Sequence, residues 1–208
     1  MHLTRSEVSR LWPIARKGNK YVVMPAHSRE TSIPVLFALR EMLKLAKTRT
    51  EAKRIIKQEK VEVNGKKIKD EKFALSLFDV LNVDGKGHRL TIKNKKFWFE
   101  ETKESRKTAK VIGKTILAGG KAQINLNDGR NFITAENVGV EDSVVFDFKE
   151  GKIGKVIPLK EGAGIFVING SHLGEEGKIV SIDEKSGSAE ISIHKEKINL
   201  KLEAIMAV

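Results

Sequence analysis

Thr50-Glu51-Ala52-Lys53-Arg54-Ile55-Ile56-Lys57-Gln58-Glu59-Lys60-Val61-Glu62-Val63-Asn64-Gly65-Lys66-Lys67 joins a basic amphipathic helix to a short strand and a tight turn. Ala52, Ile55 and Ile56 recur at helical spacing and face a core, which leaves Lys53, Arg54, Lys57 and Lys60 towards solvent. Val61 and Val63 alternate about Glu62, the period of a strand with one buried face. Asn64-Gly65 supplies the two positive-φ residues of a hairpin turn that ends the strand. A basic helix leading into such a hairpin points to RNA.

Upstream, Ser32 is positioned to cap a first helix, with Pro34 in its first turn and Val35, Leu36, Leu39, Met42, Leu43 and Leu45 as its apolar face. Thr48-Arg49 is then a short connection, and Thr50 caps the second helix. Packed through their aliphatic faces, the two helices present Arg40, Lys44, Lys47, Arg49, Lys53, Arg54 and Lys57, interrupted only by Glu41 and Glu51. Most charge-rich helical faces are simply solvated. So unbroken a run favours a phosphate-binding surface, with Lys66 beside it in the turn. Residues 1–31 form a basic, partly aromatic arm with Arg16 and Lys17 as further phosphate candidates. In that arm, Trp12 and Tyr21 either stack on a base or anchor the arm to the protein's own core.

The whole chain supports this direction. Its 208 residues carry a formal charge of +12 with 40% hydrophobic and 6% aromatic content, enough for small aliphatic cores and a polyanionic partner. Residues 1–60 hold 14 Lys/Arg against 5 Asp/Glu, residues 61–115 hold 14 against 8, and residues 116–208 hold 11 against 14. The partner-facing surface therefore belongs to the first half. No cysteine is present, so disulfides, thiolate metal sites and cysteine nucleophiles are excluded. No long apolar span or signal-type segment occurs, and an intracellular protein without membrane association is expected.

Beyond the turn-rich segment at residues 84–88, short strand-like segments at 89–92, 96–99, 108–111, 121–126, 131–134, 143–148 and 154–158 argue for a β-rich central domain over about residues 84–158. Residues 165–180 then read strand, turn, strand, with Gly170, Gly174 and Gly177 allowing tight turns or a close approach to a partner. Gly170, Ser171, His172 and Gly174 are a possible RNA or protein contact loop, and turn chemistry alone explains the glycines equally well. The loop lacks the Gly-Lys-Ser/Thr that leads into a helix in nucleotide-binding loops.

The segment 49–56 with Val61-Glu62-Val63-Asn64-Gly65 and Phe78-Asp79-Val80-Leu81 resembles the S4-like RNA-binding domain, and residues 165–180 resemble the KOW motif, usually part of a small β-barrel. The resemblance extends nearly end to end to the small-subunit ribosomal protein S4e family of archaea and eukaryotes, in an archaeal-like form. It is carried further by Trp12-Pro13-Ile14, Ser32-Ile33-Pro34, Val111-Ile112-Gly113-Lys114-Thr115, residues 119–126 and residues 156–162. Against the family pattern, the link at residues 25–29 is short. The resemblance implies an α+β multi-module fold: basic arm 1–31, S4-like helix pair and sheet 32–83, central β-rich domain 84–158, and KOW-type β-barrel 159–208. It also implies a structural constituent of the cytoplasmic small ribosomal subunit. Such a constituent binds folded small-subunit rRNA by shape and phosphate contacts and meets neighbouring ribosomal proteins.

A second RNA-binding class, a transcription-elongation or RNA-chaperone factor, shares the glycine loop. An RNA-modifying enzyme is the weaker alternative, because S4-like domains accompany pseudouridine synthases whose catalytic Asp sits in a sizeable separate domain. Here Asp128, Asp142 and Asp147 lie among short β segments, and Asp128 belongs to an Asn-Asp-Gly turn. His2, His27, His88, His172 and His194 lack the spacing of paired metal ligands. No catalytic residue, metal, cofactor or small-molecule substrate is expected.

Overall fold

The computed structural model describes the chain except Met1, Arg16, Asn19, Ser105, Lys149, Glu150, Glu184 and Lys195, together with the side chain of Lys152. The chain divides into two compact units, Met1–Arg106 and Lys107–Val208. Both are mostly β, and the described residues contain two short α-helices, both in the first unit.

In the first unit, β1 (His2–Thr4) pairs antiparallel with β2 (Tyr21–Val23), and β3 (Ser32–Pro34) leads into α1 (Val35–Phe37) and a π-helical turn, Ala38–Met42. After α2 (Arg49–Lys57) come β4 (Val61–Val63), β5 (Lys66–Lys67), β6 (Ala74–Ser76), β7 (Val80–Val83), β8 (Lys86–Lys93) and β9 (Lys96–Glu101). One sheet has the order β5-β4-β7-β8-β9, and β3 pairs separately with β6.

The expected first helix starts later than its sequence signals. Ser32 and Pro34 lie in a strand because Ser32, Ile33 and Pro34 pair with Ser76, Leu75 and Ala74, and the Ser32 hydroxyl donates to the carbonyls of His27 and Ser28 rather than capping. Pro34, with extended backbone, is itself the cap residue. Of the expected apolar face, Val35, Leu36 and Leu39 are buried, while Leu45 is exposed beyond the π turn. α2 begins at Arg49 with Thr48 as its cap, two residues before the expected cap Thr50: the Thr48 hydroxyl accepts from the Glu51 N–H at 3.2 Å, and Glu51 Oε2 accepts from the Thr48 N–H at 3.3 Å, a reciprocal capping box. Ala52 and Ile56 are buried and Ile55 is half-buried, as the spacing demands.

Asn64 and Gly65 take φ of 53° and 74°, the left-handed pair of a two-residue hairpin between β4 and β5. Asn64 is buried: its Nδ2 donates to Asp79 Oδ1 at 2.7 Å and its Oδ1 accepts from the Val80 N–H at 2.9 Å. Asp79 Oδ2 accepts from the Ser76 N–H at 2.7 Å, so one buried carboxylate fastens two loops. Asp84 and Gly85, at φ of 49° and 82°, form the same kind of turn and join β7 to β8. The sheet therefore runs through residue 84, where the sequence reading places a boundary. Strands β8 and β9 belong to the first unit's sheet because their register continues across β7.

In the second unit, β10 (Arg106–Ile116, whose first residue ends the first unit), β11 (Ala122–Leu126), β12 (Asn131–Thr134), β13 (Ser143–Asp147) and β14 (Lys152–Ile157) form a sheet of order β12-β11-β10-β13-β14. β15 (Gly164–Val167), β16 (Glu176–Asp183), β17 (Ser188–Ile193), β18 (Glu196–Lys201) and β19 (Ile205–Ala207) form an antiparallel sheet ordered β18-β17-β16-β15-β19. Each has its own aliphatic core, one around Val111, Ile124 and Val144 and the other around Ile165, Ile191 and Ile205. Gly177 lies in β16 where a Cβ would stand 2.7 Å from the Ser192 carbonyl oxygen, so close packing of β16 on β17 requires glycine there.

Candidate nucleic-acid interface

The charge follows the division into units. Met1–Arg106 carries 25 Lys/Arg against 13 Asp/Glu, and Lys107–Val208 carries 14 against 14, so the whole formal excess of +12 lies in the first unit. That excess is the electrostatic footprint of a polyanion site.

Within the first unit the arm is fastened to the protein. Trp12 is fully buried, its ring 4.7 Å from that of Phe37 and its Nε1 donating to the Ser32 carbonyl at 3.0 Å. The Phe97 N–H donates to the Leu11 carbonyl at 2.7 Å, and Lys96 Nζ donates to the Arg10 carbonyl at 2.5 Å, so this segment lies along β9. Trp12 is therefore an anchor and unavailable for stacking on a base. Tyr21 is the opposite case, 58% exposed, with Lys20 Nζ 5.4 Å from its ring centroid.

Arg49 and Lys53 converge on one carboxylate. Arg49 donates through Nε to Glu71 Oε2 at 3.0 Å and through a terminal nitrogen to Oε1 at 2.5 Å, and Lys53 Nζ stands 3.4 Å from Oε1. The Arg49 hydrogen bonds hold the Glu71 carboxyl below its ordinary value despite its burial, and the same bonds raise Arg49. The pair orders the start of α2 and leaves half of each cationic side chain open to solvent.

A cleft of about 570 Å³ lies between the arm and α1, lined by Arg5, Lys17, Tyr21, Arg40 and Arg49 over a floor that includes Leu36 and Phe37. Arg40 pairs with Glu41 at 2.9 Å, while its Nε is shielded from solvent and has no hydrogen-bond partner. Of the sequence-derived candidates, Lys17, Arg40 and Arg49 thus share one cleft, and Lys53 joins them through Glu71. Lys44, Lys47, Arg54, Lys57 and Lys66 are exposed on the loop, on α2 and on the β5 edge. Arg16 lies outside the described residues. Arg5 is not among the phosphate candidates of the sequence, and Tyr21 stands there only beside Trp12 as a stacking or anchoring ring; the place of both beside Arg40 depends on β1 pairing with β2, with Thr4 opposite Tyr21.

The glycine loop is occupied with itself. Gly170 and Gly174 have φ of 93° and 84°, the Gly174 N–H donates to the Val167 carbonyl, and His172 Nδ1 lies 3.0 Å from Glu175 Oε2. Ser171 is exposed at its tip. The carboxylates weighed as catalytic candidates have bonded partners: Asp128 is 2.8 Å from the buried Lys107, and Asp142 accepts from the Gly139 and Leu159 N–H groups. Burial pushes the Asp128 carboxyl up, but the Lys107 charge and its hydrogen bonds hold it below the ordinary range. Asp147 lies in β13. Among the described residues no helix is long and apolar enough to cross a membrane.

The basic hairpin-and-helix unit is of the S4 type: the S4 domain model matches residues 41–81, which span α2, β4 and β6. Residues 88–153 match the model for Ribosomal family S4e. The small ribosomal subunit protein eS4 of Methanocella arvoryzae is 35% identical over 204 residues, covering 90% of this chain and 83% of that one. That of Pyrobaculum aerophilum is 36% identical over 196 residues, covering 88% and 82%. The crystal structure of the 30S ribosomal protein S4e from Thermoplasma acidophilum superposes with a TM-score of 0.75 at 27% identity, covering 86% of this chain and 95% of that one. The chain belongs to the ribosomal protein S4e family.

Proposed function

We infer that this chain is a structural component of the small ribosomal subunit, binding folded rRNA through its basic first unit and supporting translation in the cytoplasm. The observation that carries the reading is that the entire charge excess lies in the unit holding the S4 domain match. Its role is non-catalytic: cations and backbone contacts recognise the phosphates and shape of folded RNA, and neighbouring ribosomal proteins meet the electrically neutral second unit. Residues 1–31 act as an arm and residues 32–83 with β8 and β9 as the S4-like module. The central sheet follows, and residues 159–208 form a KOW-type barrel. Lys17, Arg40, Lys44, Lys47, Arg54, Lys57 and Lys66 contact phosphates directly, with Arg16 beside Lys17, while Arg49 and Lys53 do so from the geometry that Glu71 imposes.

Sedimentation tests this reading. The chain travels with the small subunit at one copy per particle in moderate salt. Substoichiometric recovery, or migration with RNA polymerase, would overturn it. In parallel, replacing Arg49, Lys53 and Arg54 together with Ala weakens rRNA binding and flattens its dependence on salt by about one unit of slope per lost phosphate contact.

A further inference from the structure

The cleft between the arm and α1 has a composition that a continuous phosphate surface does not need. Neutralising a duplex backbone takes exposed cations alone, whereas this recess combines Arg5, Lys17 and Arg40 with an exposed aromatic ring and an apolar floor including Leu36 and Phe37. Its volume, about 570 Å³, falls within the range of small-molecule sites, about 300–1,000 Å³. Among the described residues Glu41 is the one acidic side chain in its lining, and it is paired with Arg40 at 2.9 Å. The Arg40 guanidinium lines the cleft with one terminal nitrogen on Glu41, and its five donors leave capacity for a further anionic oxygen. Lys20 Nζ stands 5.4 Å from the centroid of the Tyr21 ring, and that ring, 58% exposed, lines the cleft.

Resting on the rRNA-binding reading above, we propose that this cleft receives a single nucleotide extruded from folded RNA, its base on Tyr21 and its phosphate among Arg5, Lys17 and Arg40. Unstacked bases at bulges are the parts of folded RNA that an aromatic side chain can reach. Stacking on an aromatic ring tolerates any base, so the site selects a bulge rather than a sequence. The pairing of β1 with β2 places Tyr21 in the lining, and the buried Trp12 anchors the chain directly before Pro13, Ile14 and Ala15, which line the cleft.

The test uses the full chain and three short RNA hairpins: fully paired, with a one-nucleotide bulge, and with the same bulge abasic. The bulged hairpin is expected to bind about tenfold more tightly than either of the others, the size of one base–aromatic stack. Tyr21→Ala removes that preference while leaving affinity for the paired hairpin unchanged, and Tyr21→Phe retains it. A 4-thiouridine placed in the bulge crosslinks to the tryptic peptide that starts at Tyr21. Equal affinity for paired, bulged and abasic hairpins would overturn the nucleotide site and leave the phosphate-binding reading standing. Absence of binding to all three hairpins overturns both.

Discussion

At the residue scale, two aromatic side chains of one segment have opposite duties, and stability separates them. Trp12→Ala empties a fully enclosed site and strands the Ser32 carbonyl, and it is expected to cost about 3–5 kcal/mol in urea unfolding. Tyr21→Ala, at an exposed position, stays within about 0.5 kcal/mol. Composition could not distinguish them, since each is an aromatic residue within the same basic arm; only contacts with distant chain decide which is enclosed.

Glu71 provides a second residue-scale test. Hydrogen bonds from Arg49 lower its folded-state carboxyl pKa below the ordinary 4.5, while the unfolded chain keeps the ordinary value. The stability from this pair is therefore complete above 4.5 and is lost as pH falls through the lowered folded-state value. Urea midpoints measured from about pH 6 down to about pH 3 should fall more steeply for the native chain than for Glu71→Gln, which cannot titrate there. Parallel profiles would show that Glu71 is not held by Arg49 in solution.

At the scale of elements, the decisive features are a cap and a close approach. α2 has nine residues, too few to persist alone in water, so its ends and its buried Ala52 and Ile56 hold it. Thr48→Ala removes the capping hydroxyl and should cost about 1 kcal/mol, read as a lower urea midpoint. Gly177→Ala forces a methyl group against the Ser192 carbonyl and the Ile193 side chain and should cost about 1–3 kcal/mol in the second unit.

Much at this scale was legible. The period of 52, 55 and 56 marked α2, and the Asn64-Gly65 and Asn127-Asp128-Gly129 turns and the short strands from 89 to 158 recur in the structure with edges moved by a few residues. What local pattern could not carry was competition from distant chain. Ser32-Ile33-Pro34 has the signals of a helix start, yet it pairs with residues 74–76 some forty positions later. Asp84-Gly85 has the signals of a boundary, yet it turns the chain back into the same sheet.

At the scale of the whole molecule, charge and fold partition together: a unit with 25 Lys/Arg against 13 Asp/Glu is joined to one with 14 against 14. The basic surface was visible in the sequence as a run of cations. The cleft was not, because it joins the tail of β1, the start of β2 and the π turn after α1. A neutral second unit adds little to counterion release, so the salt dependence of rRNA binding by the full chain should respond to substitutions in residues 1–106 and hardly at all to Lys→Gln changes at Lys178, Lys197 and Lys201.

The most direct test is ultraviolet crosslinking of intact small subunits containing this chain, with the modified peptides identified by mass spectrometry. Nucleotide adducts should concentrate in Met1–Arg106, on the peptides that carry Tyr21 and α2. Adducts confined to Lys107–Val208, from particles that hold the chain at full occupancy, would contradict the assignment of the RNA interface to the first unit.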